Sequence, residues 1–236
     1  MCGCFYLLTD QAVMMARFAA EGGAFEALPP GDFLPGQVVV AIADKEGRRT
    51  ALPLRWGLIP GWATDPAIGR KLFNARAETL SEKPSFKEAF RSRRCLIPAD
   101  GFYEWTGEKG KKQAVRFGLR SGEPFAMAGL YETWRAPSGE TIGTCTIVTT
   151  EPNDLIALLH DRMPVLLPKD KEALWLDPKV RDPEALRPLL VPYRSAEMVI
   201  ETAAPHPPPA GPARKTGRDE EIQTSLFDPP RDRTDE

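Results

Sequence analysis

Histidine appears only twice in this chain of 236 residues, and cysteine only four times. Structural zinc sites draw on clustered Cys and His ligands, and only Cys2 and Cys4 lie close together, so no metal is expected. Cysteines at 2, 4, 95 and 145 are also too few and too scattered for a disulfide framework. In a reducing compartment they remain thiols. The chain lacks a basic flank followed by a long apolar run near its start, and it lacks any apolar stretch of membrane-spanning length. These absences predict a cytoplasmic protein with no membrane partner. An excess of one charge is missing too. The formal net charge is −2, which excludes a crude polycation. What is present is 42% apolar, enough for a sizeable core.

The most distinctive chemistry stands at the very start, in Met1-Cys2-Gly3. Methionine is generally removed when a small residue follows it, which would leave Cys2 with an α-amine and a thiol on adjacent carbons. An α-amine titrates near ~7.7–8.0, so much of it is an uncharged nucleophile at neutral pH. A thiol titrates near ~8.5 and is strongly nucleophilic as thiolate. With an aldehyde, the amine gives an imine and the thiol closes a five-membered thiazolidine. The plain alternative is that position 2 is arbitrary and tolerates Cys.

Taken in order, residues 9–21 (TDQAVMMARFAAE) read as a helix capped by Thr9 or Asp10 and ended by Gly22-Gly23. The run VVVAIA at 38–43 reads as a strand, and 50–59 as a second one interrupted by Pro53. A short helix is expected over 84–94. Strands follow at 95–98, 113–119, 124–132 and 141–150, where β-branched and aromatic residues stand between Gly and Pro. A helix is expected from 151 to about His160, a short strand at 165–167, helices near 169–176 and 182–190, and a last strand over 196–202. Many strands with few short helices imply an α+β fold, mostly antiparallel and barrel-like. Composition changes near 203. From there Pro, Ala, Gly and then charges dominate, so 1–202 reads as one domain and 203–236 as a disordered tail. Lys87, Arg91, Arg93, Arg94, Lys109, Lys111 and Lys112 are candidates for a basic face, or simply a solvated helix and hairpin.

Four further stretches place polar groups among apolar ones. In Phe73-Asn74-Ala75-Arg76-Ala77-Glu78, Asn74 can orient a reacting amine or sugar hydroxyl and Arg76 can hold a phosphate; a turn Asn and a surface salt bridge fit the same residues. In Gly101-Phe102-Tyr103-Glu104-Trp105, a carboxylate between aromatics is desolvated toward acid/base work; a strand with Glu104 on its wet face shows the same pattern. In Leu159-His160-Asp161-Arg162, His160 is the one histidine before the tail and can shuttle a proton, or serve as a structural helix-end residue. Tryptophans of Arg55-Trp56-Gly57-Leu58-Ile59-Pro60-Gly61-Trp62 can stack on bases or fill the core.

With Met1-Cys2-Gly3, the segments RWGLIPGWA (55–63), FNARAET (73–79), RRCLIPADGFYEW (93–105), AGLYETW (128–134), TIVTTEPN (146–153) and LHDRMPVLL (159–167) resemble one family over about residues 2–200. It is the SRAP-domain family, whose members crosslink to abasic sites in single-stranded DNA. The resemblance implies the mostly β, barrel-like SRAP fold. It implies a lyase-like activity that needs no metal or organic cofactor, in a nucleoid-associated protein, and the family is also associated with peptidase activity. It implies Cys2 as the crosslinking residue, Asn74 as the group that positions its amine, Glu104 as the acid/base and His160 beside the sugar-phosphate. Arg76 and Arg162 are implied as phosphate contacts, Trp105 and Trp62 as packing or stacking groups, and Pro35 as part of a loop that wedges into DNA.

Two departures stand out. The family usually has Arg at position 4, where this chain has Cys4, and Asn where it has Asp32. The loss of a charge predicts a weaker phosphate grip and a less acidified Cys2 thiol, and Cys4 offers Cys2 a disulfide partner under oxidation. Two rival readings accompany the resemblance. An N-terminal Cys with an Asn and a His also suits an N-terminal-nucleophile hydrolase or peptidase. A non-catalytic single-strand binder needs neither the thiol nor the amine. In the tail, Gln223-Thr224-Ser225-Leu226-Phe227 resembles the bacterial sliding-clamp-binding peptide, with Gln223, Leu226 and Phe227 as the groove-filling residues.

Overall fold

The computed structural model describes residues 2–22, 28–107 and 113–202. The tail with Gln223, Leu226 and Phe227, and the lysines at 109, 111 and 112, lie outside the described residues. In chain order the strands are β1 (Phe5–Leu7), β2 (Glu21–Gly22), β3 (Gly31–Phe33), β4 (Val38–Lys45), β5 (Arg48–Trp56), β6 (Asn74–Arg76) and β7 (Arg94–Ala99). They continue as β8 (Gly101–Thr106), β9 (Gln113–Leu119), β10 (Phe125–Arg135), β11 (Thr141–Thr150), β12 (Met163–Pro164), β13 (Leu166–Leu167) and β14 (Met198–Thr202). The α-helices are short: α1 (Gln11–Arg17), α2 (Lys87–Ser92), α3 (Glu172–Leu176) and α4 (Pro183–Leu186).

A closed barrel forms the centre. β5 pairs with β4, β4 with β7, β7 with β10 and β10 with β11, all antiparallel. β11 then returns to β5 in parallel, through Thr144↔Arg55 and Cys145↔Trp56, and Gly57 N–H donates to the Cys145 carbonyl at 2.8 Å. The apolar runs alternate between two packed faces. Val39, Ala41 and Ala43 of β4 join Leu52, Leu54 and Trp56 in one cluster. Val40 and Ile42 join Ala51 in another, with residues of all four helices against it. A strand buried on both faces reads as continuous rather than alternating apolar sequence, which is why VVVAIA shows no period.

A second sheet, ordered β14-β9-β8-β1-β3, packs against the barrel through Phe5, Phe102, Phe117 and Met198. Its opposite face carries Cys4, Tyr6, Tyr103 and Ala114. The expected α+β, mostly antiparallel, barrel-like architecture with short surrounding helices is the one observed.

Several elements differ from expectation. The 9–21 helix is only α1, capped by the Asp10 side chain on Ala12 N at 2.8 Å; Ala19 takes φ +48° and residues 21–22 join β5 as a strand. Pro53 does not interrupt β5. It stands opposite Val40, between the stretches where β5 pairs with β2 and with β11, so its missing N–H breaks neither pairing. The helix expected from 151 is a series of turns in which the Asn153 side chain takes the Ile156 N–H at 3.0 Å. Asparagine competes with the helix backbone in this way. The strands β1, β3 and β6, each three residues long, are too short for a periodic signal.

Arg94 is nearly fully buried and ties the surrounding helices to the barrel. Its guanidinium donates to the carbonyls of Phe90, Trp175, Asp177 and Val180, at or beyond the ends of α2 and α3. Burial lowers its pKa to about 10, still far above neutrality. A guanidinium that never loses its proton satisfies helix-end carbonyls that would otherwise be stranded.

Candidate active site

Cys2 lies at the junction of the barrel and the second sheet, with none of its surface exposed. Its cluster contains Phe5 and Leu7, whereas Cys4 belongs with Tyr6 and Tyr103 on the far face. The two thiols are therefore on different sides of the leading strand, and both are free. Tyr103 N–H donates to the Cys4 carbonyl at 3.0 Å, which extends the β1–β8 pairing toward the N-terminus and brings Cys2 alongside Glu104. Burial pushes the Cys2 thiol well above its ordinary pKa, and the charges of Glu104 and Cys4 push in the same direction. The resting group is a neutral thiol.

Asn74 comes from β6, which runs parallel to β11 with Asn74 opposite Ile147. The residue before it is fixed at its carbonyl by the Trp56 indole N–H at 2.7 Å and by Ile147 N–H at 3.1 Å. The loop leading there closes on itself where Gly57 and Gly69 meet backbone to backbone. A Cβ at Gly57, whose φ is +137°, would stand 2.7 Å from the Gly69 oxygen. So placed, the Asn74 amide donates to the Cys2 carbonyl at 2.7 Å. Its Oδ1 is buried and makes no hydrogen bond among the described residues.

Glu104 is in β8, paired with Val115, and is 3% exposed. Phe102 and Glu104 face inward while Tyr103 and Trp105 face the other way, so the wet-face reading of Glu104 does not hold. Burial raises its carboxyl to about 7; the positive amino terminus opposes this shift and Asp161 adds to it. His160 stands on the turn segment after Asn153, with its Nε2 3.8 Å from Glu104 Oε2. Its Nδ1 lies 3.0 Å from both the Arg162 backbone N–H and Asp161 Oδ1. The Arg162 amide can only donate, which favours a neutral ring with Nδ1 as acceptor and Nε2 facing Glu104. Burial, then the positive amino terminus, lowers the His160 pKa, which favours that neutral ring.

The sequence candidates divide accordingly. Cys2 bonds to Asn74 and lies against Glu104, and Glu104 faces His160. Arg76 is exposed two residues beyond Asn74 on the same strand. Trp105 is on the opposite face from Glu104, half-buried 6.3 Å from the Tyr103 ring. Trp62 is 60% exposed on the 57–72 loop. Pro35 and Gly36 (φ +96°) are the central residues of the turn joining β3 to β4, in which Gln37 N–H donates to the Leu34 carbonyl. Arg162 is engaged by Glu78 and by the Thr149 carbonyl. Glu78, Thr149 and Asp161 were not singled out from the sequence. Glu78 and Thr149 lie inside quoted motifs, but nothing in their spacing marks them as partners of residue 162.

Among the described residues no group of three or more His, Cys, Asp or Glu is placed to hold a metal ion, and no helix is long and apolar enough to cross a membrane. The arrangement can hold a backbone-anchored thiol and the adjoining amine next to a carboxyl poised between its two protonation states. That suits nucleophilic addition to a carbonyl with proton transfer at the leaving oxygen.

A family model described as SOS response associated peptidase (SRAP) matches residues 1–205. The abasic site processing protein YoqW of Bacillus subtilis (strain 168) is 45% identical over 205 residues, covering 84% of this chain and 90% of the relative. The abasic site processing protein HMCES of Xenopus tropicalis is 34% identical over 152 residues, covering 55% of this chain and 45% of the relative. A crystal structure of a protein from Bordetella bronchiseptica superposes with a TM-score of 0.74 at 29% identity, covering 86% of this chain and all of that one. One from Bacteroides thetaiotaomicron gives 0.76 at 26%, covering 84% and 90%.

Proposed function

The chain belongs to the SRAP family, and from that premise we propose that it processes abasic sites in DNA by forming a covalent link through Cys2. The substrate is the ring-opened abasic nucleotide in single-stranded DNA, whose C1′ is an aldehyde. The observation that carries this reading is the fixing of Cys2 by Asn74 beside the poised Glu104–His160 pair.

With Met1 removed, the Cys2 amine adds to C1′ and gives a carbinolamine. Glu104 donates a proton to the departing hydroxyl, and water leaves with formation of the imine. The thiol sulfur then bonds to the imine carbon while its proton passes to the nitrogen, closing the thiazolidine. Atoms balance with the loss of one water, and nothing is oxidised or reduced. A thiol held neutral by burial waits while the amine acts first. A carboxyl near pKa 7 both gives and takes a proton at neutral pH, which serves the forward step and its reversal. Asn74 Oδ1 is an acceptor for the amine. Arg76, Trp62 and the Pro35 turn supply phosphate and base contacts.

The test is a denaturing gel with single-stranded DNA carrying one abasic site. The wild type gives a heat-stable shifted band. Cys2→Ala and Cys2→Ser, both folded, do not, although Ser yields a borohydride-trapped imine. A heat-stable band from either variant would sink the reading. The segment Gln223–Phe227 extends the proposal: its resemblance to a clamp-binding peptide suggests a tether to the bacterial sliding clamp, which raises the local concentration where replication stalls.

A further inference from the structure

Strands β6 and β11 leave the site side by side. Asn74 stands opposite Ile147 and Arg76 opposite Thr149. Just beyond, where β6 gives way to the 3₁₀ turn Ala77–Thr79, an open cleft of about 360 Å³ begins. At ~3.3 Å per residue its near end is about 10 Å from Asn74. Ala77 and Ser81 line it on the β6 side, and Val191, 53% exposed, lines it from the chain beyond α4. Phe90 of α2, almost fully buried, closes its base. Most of its polar lining is already engaged. The Thr150 hydroxyl donates to the Leu190 carbonyl at 3.0 Å, Arg187 holds Glu184 at 2.7 Å, and Glu78 meets Arg162 with both oxygens. Among the described residues, Glu151, exposed just past β11, is the lining carboxylate left with hydrogen bonds to accept.

This inference rests on the abasic-site reading of the neighbouring Cys2 site and extends it. We propose that the cleft receives the base of a nucleotide flanking the abasic site, and that Glu151 favours a base with an exocyclic amine. Apolar walls with few polar groups at the rim suit a flat heterocycle, and the volume falls at the small end of ligand pockets, ~300–1,000 Å³. Single-stranded nucleic acid is read in this way, with bases splayed out and bonded along their edges. The position follows from Arg76. It is exposed on the last residue of β6, directly before Ala77, so a backbone phosphate held there sets the next base at the mouth of the cleft. The choice of base follows from Glu151. An ionised carboxylate only accepts hydrogen bonds, and cytosine presents an N4 amine to it. Thymine has a carbonyl oxygen at that position, which the carboxylate repels.

The full chain is tested in single-turnover crosslinking with two abasic single strands, one flanked by dC and one by dT, which differ little in size. The half-saturating concentration should be about 10-fold lower for the dC strand, the scale of one good contact to a base edge. Glu151→Gln puts an amide there that both donates and accepts, so its two values should converge. Val191→Trp fills the cleft with an indole and should make them converge as well. Both positions are exposed, and a thermal melt like that of the wild type confirms the fold of each variant. Equal values for the two strands in the wild type overturn the proposal. So does a dC preference that survives in either variant, because the base is then read elsewhere. If the wild type links to neither strand, the abasic-site reading fails, and the cleft is judged by fluorescence anisotropy of undamaged dC and dT oligonucleotides. A dC preference abolished by Glu151→Gln upholds it; equal binding, or a preference that the variant keeps, rejects it.

Discussion

Among the described residues two carboxylates are buried, Glu172 and Glu104, and their surroundings differ. Glu172, 1% exposed at the start of α3, accepts from Arg17 at 2.8 Å and from Arg49 at 3.2 Å. Glu104, 3% exposed in β8, is set against a neutral imidazole and a neutral thiol. The first environment supplies positive charge and makes an anchor. At Glu104 burial outweighs the pull of the positive amino terminus and raises the acid to about 7. The difference separates a carboxylate that pairs with two guanidiniums from the one to which the proposed reaction assigns the proton transfer.

The comparison can be broken at either end. Glu104→Gln keeps the shape and removes the proton. The crosslinking rate with abasic single-stranded DNA should fall by about 10²–10⁴-fold, as should reversal, in single-turnover assays. A variant as fast as the wild type in both directions would make Glu104 a packing residue. Glu172→Gln should do the reverse. It leaves two guanidiniums short of a counter-charge and costs about 3 kcal/mol of stability in urea unfolding, with little change in rate per folded molecule. That figure is the low end for breaking a buried pair, because Arg17 and Arg49 keep 14% and 24% side-chain exposure. A stability loss below about 0.5 kcal/mol would remove the anchor role.

A sharper and smaller effect appears with pH. The folded-state pKa of Glu104, about 7, lies above its unfolded value, so between about 4.3 and 7 the folded chain holds a proton that the unfolded chain has released. Stability due to this group is therefore complete at the acid end of the window and lost as pH rises through 7. Glu104→Gln escapes the loss. Relative to the wild type it should gain up to about 3 kcal/mol between pH 4 and pH 8. A gain that is flat with pH would show that Glu104 carries no such charge cost.

Much of the barrel is legible in the sequence, because β4, β5, β7, β10 and β11 are long apolar or β-branched runs between turn residues. Its closure is not. The parallel β5–β11 contact is two residue pairs wide and joins segments some 90 residues apart, and no local pattern encodes it. Glu104 shows the limit at the level of one residue. Alternation along 102–105 gives two faces, but both are packed, so the period does not say which face is dry. The grouping of Cys2, Asn74, Glu104 and His160 follows from the family resemblance, not from spacing. Arg162 and Glu78 are 84 residues apart, and their pairing is a fact of the folded chain alone.

The completely enclosed position of Cys2 bears on the order of events in synthesis. Every wall of its enclosure comes from later sequence. Asn74 is held by β11, Glu104 comes with β8, and β1 pairs with β8 nearly a hundred residues downstream. Contacts of such separation form late, once the intervening chain exists. On a growing chain the second residue is therefore the first to emerge and among the last to be covered. The link proposed for Cys2 needs its amine free, so removal of the methionine ahead of it would have to come before the sheets meet.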